Sequence, residues 1–156
     1  MIVKIPTKLF FLAFICLIIT SSCKKEIDYH PEWDVSSMSG KVDGVLLQCS
    51  FTTAQTYTVN GKTSLQILGN KENDGFSFLI DDFKGNGIYS LASNNIATYL
   101  SGVSGLQDAY LGASGTIKIV SSTDKMIKGT FDFKGQNISN GVTKSITEGQ
   151  FSINYK

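Results

Sequence analysis

The last forty residues constrain the fold most. Gly115–Val120 reads G-T-I-K-I-V, Lys128–Gly135 reads K-G-T-F-D-F-K-G, and Glu148–Tyr155 reads E-G-Q-F-S-I-N-Y. Each piece alternates apolar and polar residues with period two. Ile117 and Ile119 share one side, Phe131 and Phe133 another, and Phe151, Ile153 and Tyr155 a third. Such alternation marks antiparallel strands packed on one face and wet on the other. Three in succession, joined by Ser/Asp-rich and Asn/Gly-rich links, read as a meander that other strands must cover.

Upstream the same grammar repeats. Met38–Phe51 reads as a hairpin: Lys41-Val42 leads into Asp43-Gly44, a strong two-residue turn signal, and Val45–Phe51 returns. Val45, Leu47, Cys49 and Phe51 share one parity, so Cys49 is expected to point inward as a small apolar residue; the reading set against it is a reactive thiol. Tyr57-Thr58-Val59, Asn60-Gly61 and Lys62–Ile67 form a second hairpin, ending at Gly69-Asn70. After a polar loop from Lys71 to Asp74, Phe76, Phe78 and Ile80 face inward, and Leu79 also calls for cover. Asp81–Gly87 is a turn cluster, followed by strands at Ile88–Leu91 and Ala97–Leu100. Ser101–Gly112 is the least patterned stretch, with Tyr110-Leu111 as a short strand. No apolar stripe of helical period is long enough to hold a helix.

Eight to ten short strands at turn intervals of roughly 8–12 residues predict an all-β domain. The expected form is an antiparallel β-sandwich, with a flattened lipocalin-like barrel as the alternative. Phe76, Phe78, Phe131, Phe133 and Phe151 dominate the expected core, each contributing about 1.5–3 kcal/mol on burial.

The amino-terminal segment is of another kind. Lys4 and Lys8 precede an apolar run from Leu9 to Ile19, then the small residues Thr20, Ser21 and Ser22. That is the order of a secretory signal, and the run is short for a spanning helix, which needs about 20 apolar residues. Thr20-Ser21-Ser22-Cys23 resembles a bacterial lipobox, in which the cysteine becomes the lipid-modified first residue of the mature chain. The expected organisation is a signal peptide at 1–22, a lipidated tether at 23–35 and the all-β domain at 36–156. Position 24 is Lys, not the Asp of the inner-membrane retention signal known from enteric lipoproteins, so the resemblance implies outer-membrane sorting, with the periplasmic and outer faces both open. The expected partners are the membrane, through lipid on Cys23, and an envelope protein or glycan.

The Lys41-Val42-Asp43-Gly44 hairpin, Gly115-Thr116-Ile117-Lys118-Ile119, Gly129-Thr130-Phe131-Asp132-Phe133 and Ile146-Thr147-Glu148-Gly149-Gln150-Phe151 together resemble a set of small Bacteroidota lipoproteins carrying a domain of unknown function. Gly87-Ile88-Tyr89 matches a further strand of that set, while its usual aromatic after the hairpin turn is replaced by Leu47. The resemblance implies an all-β lipoprotein and no particular activity.

Composition removes several function classes. Without the first 22 of 156 residues, 134 remain, and losing Lys4 and Lys8 leaves 12 of the 14 basic residues, all Lys, against 13 acidic ones. A near-neutral chain lacking Arg has no basic footprint for nucleic acid. With Cys16 in the signal and Cys23 lipidated, Cys49 stands alone, so no internal disulfide forms in the mature chain. His30 is the single histidine and lies in the tether, which leaves hydrolytic triads and zinc sites without their parts. No enzymatic activity, cofactor or metal is expected. Asp81-Asp82 is an adjacent acid pair, but neighbours on a strand point to opposite faces, and a solvated turn before Lys84 is the plainer reading. The candidate contact residues are aromatic: Trp33, Tyr57, Tyr99 and Tyr110, amphipathic rings at loops or strand ends, weighed against rings that cap the core. Asn137-Ile138-Ser139 matches a glycosylation sequon and is expected to mark an exposed loop.

Overall fold

The computed structural model describes residues 36–102 and 105–155. The amino-terminal segment, on which the expected signal, Cys23, His30 and Trp33 fall, lies outside them. Ten strands follow in order: β1 (Ser37–Val42), β2 (Val45–Gln48), β3 (Phe51–Val59), β4 (Lys62–Lys71), β5 (Asp74–Ile80), β6 (Gly87–Ser90), β7 (Ile96–Ser101), β8 (Ala109–Ser122), β9 (Met126–Asn137) and β10 (Thr143–Asn154). Among the described residues the other regular element is a 3-10 turn at Gly105–Asp108. Among the described residues no helix is long and apolar enough to cross a membrane.

The strands form one antiparallel sheet in the order β2-β1-β10-β9-β8-β7-β5-β4-β3, with β6 paired to β8. The outer edge of β8 is shared: its first part pairs with β7 through Leu111, Tyr110 and Ala109, its second with β6 through Thr116 to Ile119. The sheet curls on itself. Phe76 on β5 and Phe131 on β9 are three ladder steps apart, about 14 Å on a flat sheet, yet their ring centroids lie 5.1 Å apart. Met38 of β1 and Cys49 press on Gly69 of β4, six steps away along the path: a Cβ at Gly69 would lie 2.5 Å from the Met38 sulfur and 3.1 Å from the Cys49 sulfur. An isolated parallel bridge from Ala54 to Tyr155 joins β3 to the end of β10. The all-β antiparallel expectation holds. One curled sheet folded over a shared core has the two facing layers of a sandwich and the continuous path of a flattened, incompletely closed barrel.

The interior is filled by side chains. Phe76, Phe78, Leu65, Ile67, Ile80, Ile127 and Ile153 are fully buried, and Phe131, Phe133 and Phe151 nearly so. The expected inward set on β5, β9 and the end of β10 is correct residue by residue. Leu79, on the outer face of β5, is half-buried.

Three expectations change. Val45–Phe51 is not one strand: β2 stops at Gln48, the amides of Cys49 and Ser50 bond to Met38 and Asn70, and β3 begins at Phe51. Cys49 is buried, but Phe51 is 46% exposed because the break at 49–50 ends the shared parity, and Val45, beside the Asp43-Gly44 turn, is 72% exposed. Tyr110-Leu111 is not a separate short strand but the start of the fourteen-residue β8. An irregularity between Gly112 and Ser114 shifts the phase, so that Tyr110 and Ile117, of opposite parity, share the inner face. Ile138 and Ser139 of the sequon lie in an exposed turn as expected, but Asn137 ends β9 and keeps only 2% of its surface exposed.

Candidate functional site

Two local constructions stand out, one at an end of the curled sheet and one on its outer face. At the end, Tyr99 and Tyr110 are direct cross-strand partners on β7 and β8. Their ring centroids are 5.8 Å apart, and Tyr99 lies at the same distance from Phe76. Tyr110 lies over Gly135 of β9, where a Cβ would come within 2.9 Å of the Tyr110 Cβ. Tyr99 is 6% exposed, and burial raises the pKa of its hydroxyl, against a hydrogen bond with Ser101 that lowers it. Lys144 influences both tyrosines electrostatically. Its amine bonds Asp43 Oδ2 at 2.8 Å. That bond raises the Lys144 pKa and lowers the Asp43 pKa, to which the Ser145 amide also contributes.

Asp43 explains the K-V-D-G signature. Asp43 and Gly44 have φ of 48° and 84°, as a type I′ turn requires. The Asp43 amide donates to the Ser145 carbonyl at 2.8 Å, and Asp43 Oδ1 accepts from the Ser145 amide at 2.8 Å. The hairpin tip is thereby fastened to β10.

The second construction is a groove of about 430 Å³ on the outer face. One row of cross-strand partners runs along it: Phe51 on β3, Asn70 on β4, Gly75 on β5 and Leu100 on β7. Gly75 forms the floor. A Cβ there would sit 2.5 Å from the Gly69 carbonyl oxygen, so the backbone itself excludes a side chain. Phe51, Leu68 and Leu100 supply apolar walls, while Asn70, Glu72, Asn73 and Asp74 form a rim of amides and carboxylates with no basic side chain in the lining. Such a groove suits a neutral ligand with apolar faces and hydroxyl or amide edges better than an anion. A smaller cavity of about 390 Å³ is lined by Gln55, Thr56, Thr123, Asp124 and Tyr155.

Of the aromatic candidates, the fold brings Tyr99 and Tyr110 together. Tyr57 is on β3, separated from β7 by β4 and β5, and is 43% exposed. Cys23 and Trp33 fall outside the described residues. Asp81 and Asp82 lie in the turn after β5 and line neither cavity; the Asp81 amide bonds Asn95, and the Asp82 carboxylate pairs with Lys84 at 2.8 Å. Among the described residues, no three His, Cys, Asp or Glu side chains gather as a metal-holding group. Asp132 accepts from Thr116, directly opposite on β8, at 3.2 Å. Sequence reasoning missed the groove. Its residues lie on four strands, and only the ladder register aligns Phe51 with Leu100; Gly75 was the available signal, a glycine where the strand pattern begins.

The fold and surface define a class: an all-β domain of one curled antiparallel sheet, closed around an aromatic interior, with its open surface features on the outside. Residues 35–153 match the family described as Domain of unknown function (DUF6252), and the chain belongs to that family. No curated protein and no solved structure matches it.

Proposed function

We propose that this chain is a lipid-anchored cell-envelope protein, of the kind found among small Bacteroidota lipoproteins, whose β-domain is a non-enzymatic binding module at the outer membrane. The observation that carries the binding role is the pairing of a filled interior with an outer groove. A barrel packed by Phe76, Phe78, Phe131, Phe133 and Phe151 has no room for an internal ligand, so recognition belongs to the surface. Thr20-Ser21-Ser22-Cys23, ahead of a family domain that begins at residue 35, supports the anchor. A lipid chain contributes about 0.8 kcal/mol per buried CH₂, and two or more chains make the attachment lasting. That the single His lies outside the family domain supports the non-enzymatic reading.

Intact mass of the protein from membranes tests the anchor: the chain should begin at Cys23 with added acyl mass, and Cys23→Ser should release it. Protease treatment of whole cells reads the membrane face. For the binding role, capture from solubilised envelopes should enrich a component that Phe51→Ala fails to enrich; identical captures would count against the groove.

The groove's composition favours one narrower reading, a saccharide ligand, since a phenylalanine wall beside amides and carboxylates suits the apolar face and hydroxyl edge of a sugar ring. A ligand at 100 times its Kd should stabilise the fold by about 2.7 kcal/mol. A thermal-shift screen of neutral glycans with no rise in Tm would remove this reading while leaving the anchored binding module intact.

A further inference from the structure

Strand β3 ends the sheet, and its carboxy-terminal half is built as an open edge. Its partner is β4, and among the described residues the single ladder contact across its other side is the Ala54–Tyr155 bridge. Beyond that bridge every residue from Gln55 to Gly61 is exposed, on both faces of the strand. Tyr57 is 43% and Val59 60% exposed. The hairpin is well formed nonetheless. Asn60 and Gly61 have φ of 50° and 77°, Gln55 bonds Gln66 at 2.8 Å, and Thr58 bonds Thr63 at 3.0 Å. It is an ordered arm that projects past the packed interior.

Proteins blunt such edges with lysine, proline, bulges or brevity. The other end of the sheet, β2, is four residues long. The stretch Phe51 to Gly61 has no charge, no proline and no bulge, and it is rich in Thr, Tyr and Val. The two-residue turn makes Val59–Lys62 a hydrogen-bonded pair, and alternation then directs the amides and carbonyls of Thr56 and Thr58 outward.

We propose that this edge pairs with the same edge of a second copy, antiparallel, about a two-fold axis at Tyr57. In that register Thr56 faces the second copy's Thr58, and the two threonines exchange main-chain hydrogen bonds. Tyr57 faces its own counterpart, and Gln55 faces Val59. The match is self-complementary because Gln55-Thr56-Tyr57-Thr58-Val59 has threonines symmetric about the tyrosine. A neutral strand also meets its copy without charge repulsion. The product is a continuous β4-β3-β3-β4 sheet between two domains, an isologous interface.

Disulfide trapping in the full chain tests this. The proposed register places the two Tyr57 positions as a non-hydrogen-bonded pair, with Cα atoms about 4.5 Å apart, within the range a disulfide spans. Under mild oxidation, Tyr57→Cys should give at least ten-fold more covalent homodimer than Ile88→Cys, a control on β6 that is 69% exposed. Adding Thr58→Pro to Tyr57→Cys removes an outward amide and should abolish the dimer, while limited proteolysis of the monomer stays unchanged. Equal trapping at positions 57 and 88 would overturn the proposal, as would a cross-link from position 57 to a different protein.

Discussion

Phe131 shows how much one residue can carry here. Its ring lies 4.6 Å from Phe78, 5.1 Å from Phe76 and 6.4 Å from Phe151, so strands from both layers meet on it. Gly149 exists to admit it, since a Cβ there would fall inside the Phe131 ring's contact surface. Phe131→Ala should cost about 3–5 kcal/mol in urea unfolding, from lost transfer energy and the cavity left behind. Cys49 gives a second prediction at this scale. Burial pushes its thiol up to about 11, so it stays protonated and sheltered at neutral pH. Alkylation at pH 8 should be slow in the folded protein and fast in denaturant. The sign follows for stability: the free thiol, near 9, loses its proton before the folded one. The unfolded state therefore binds fewer protons between about pH 9 and 11, and stability falls as pH rises through that window.

At the scale of elements, the turns are fastened by specific side chains. Asn137 ends β9. Its Nδ2 donates to the Gln107 carbonyl at 2.7 Å, and its Oδ1 accepts from the Ser139 and Asn140 amides at 2.9 and 3.1 Å. This one side chain ties the β9–β10 turn to the 3-10 turn before β8. Asn137→Ala would remove three part-buried hydrogen bonds to main-chain groups, each worth about 0.5–1.5 kcal/mol. Hydrogen exchange at Ser139 and Asn140 should speed up in that variant while β9 itself stays protected. The Asp43 hairpin carries a pH signature. Its pKa is lowered in the folded state by Lys144 and the Ser145 amide. That contribution is present above the unfolded carboxyl pKa and is lost as pH falls through the folded value. The stability gap between wild type and Asp43→Asn should therefore narrow from pH 7 to pH 3, modestly, since the pair is solvent-exposed and screened.

For the whole molecule the decisive contact is where the curled sheet meets itself. Met38 and Cys49 close over Gly69 with no space for a side chain. Gly69→Val should destabilise the entire domain, lowering the urea midpoint of near- and far-UV circular dichroism together, because one shared core unfolds as one unit. The strands were legible because their signals are local. Phe131, Asp132 and Phe133 declare in from out by alternation, and Asp43-Gly44 and Asn60-Gly61 supply the positive φ angles of their turns. What stayed hidden was phase and adjacency. Ile146 and Phe151 have opposite parity, yet both are buried, because an irregularity between Ile146 and Gly149, with Glu148 at φ 51°, resets the alternation.

The sequence alone therefore determined the all-β class, the hairpin turns and most of the inward-facing residues, since each depends on neighbours a few positions apart. Only the tertiary structure decided the sheet order, the outer groove and the open β3 edge. Those depend on register between strands far apart in the chain, and register is fixed by the energy of closing a single core.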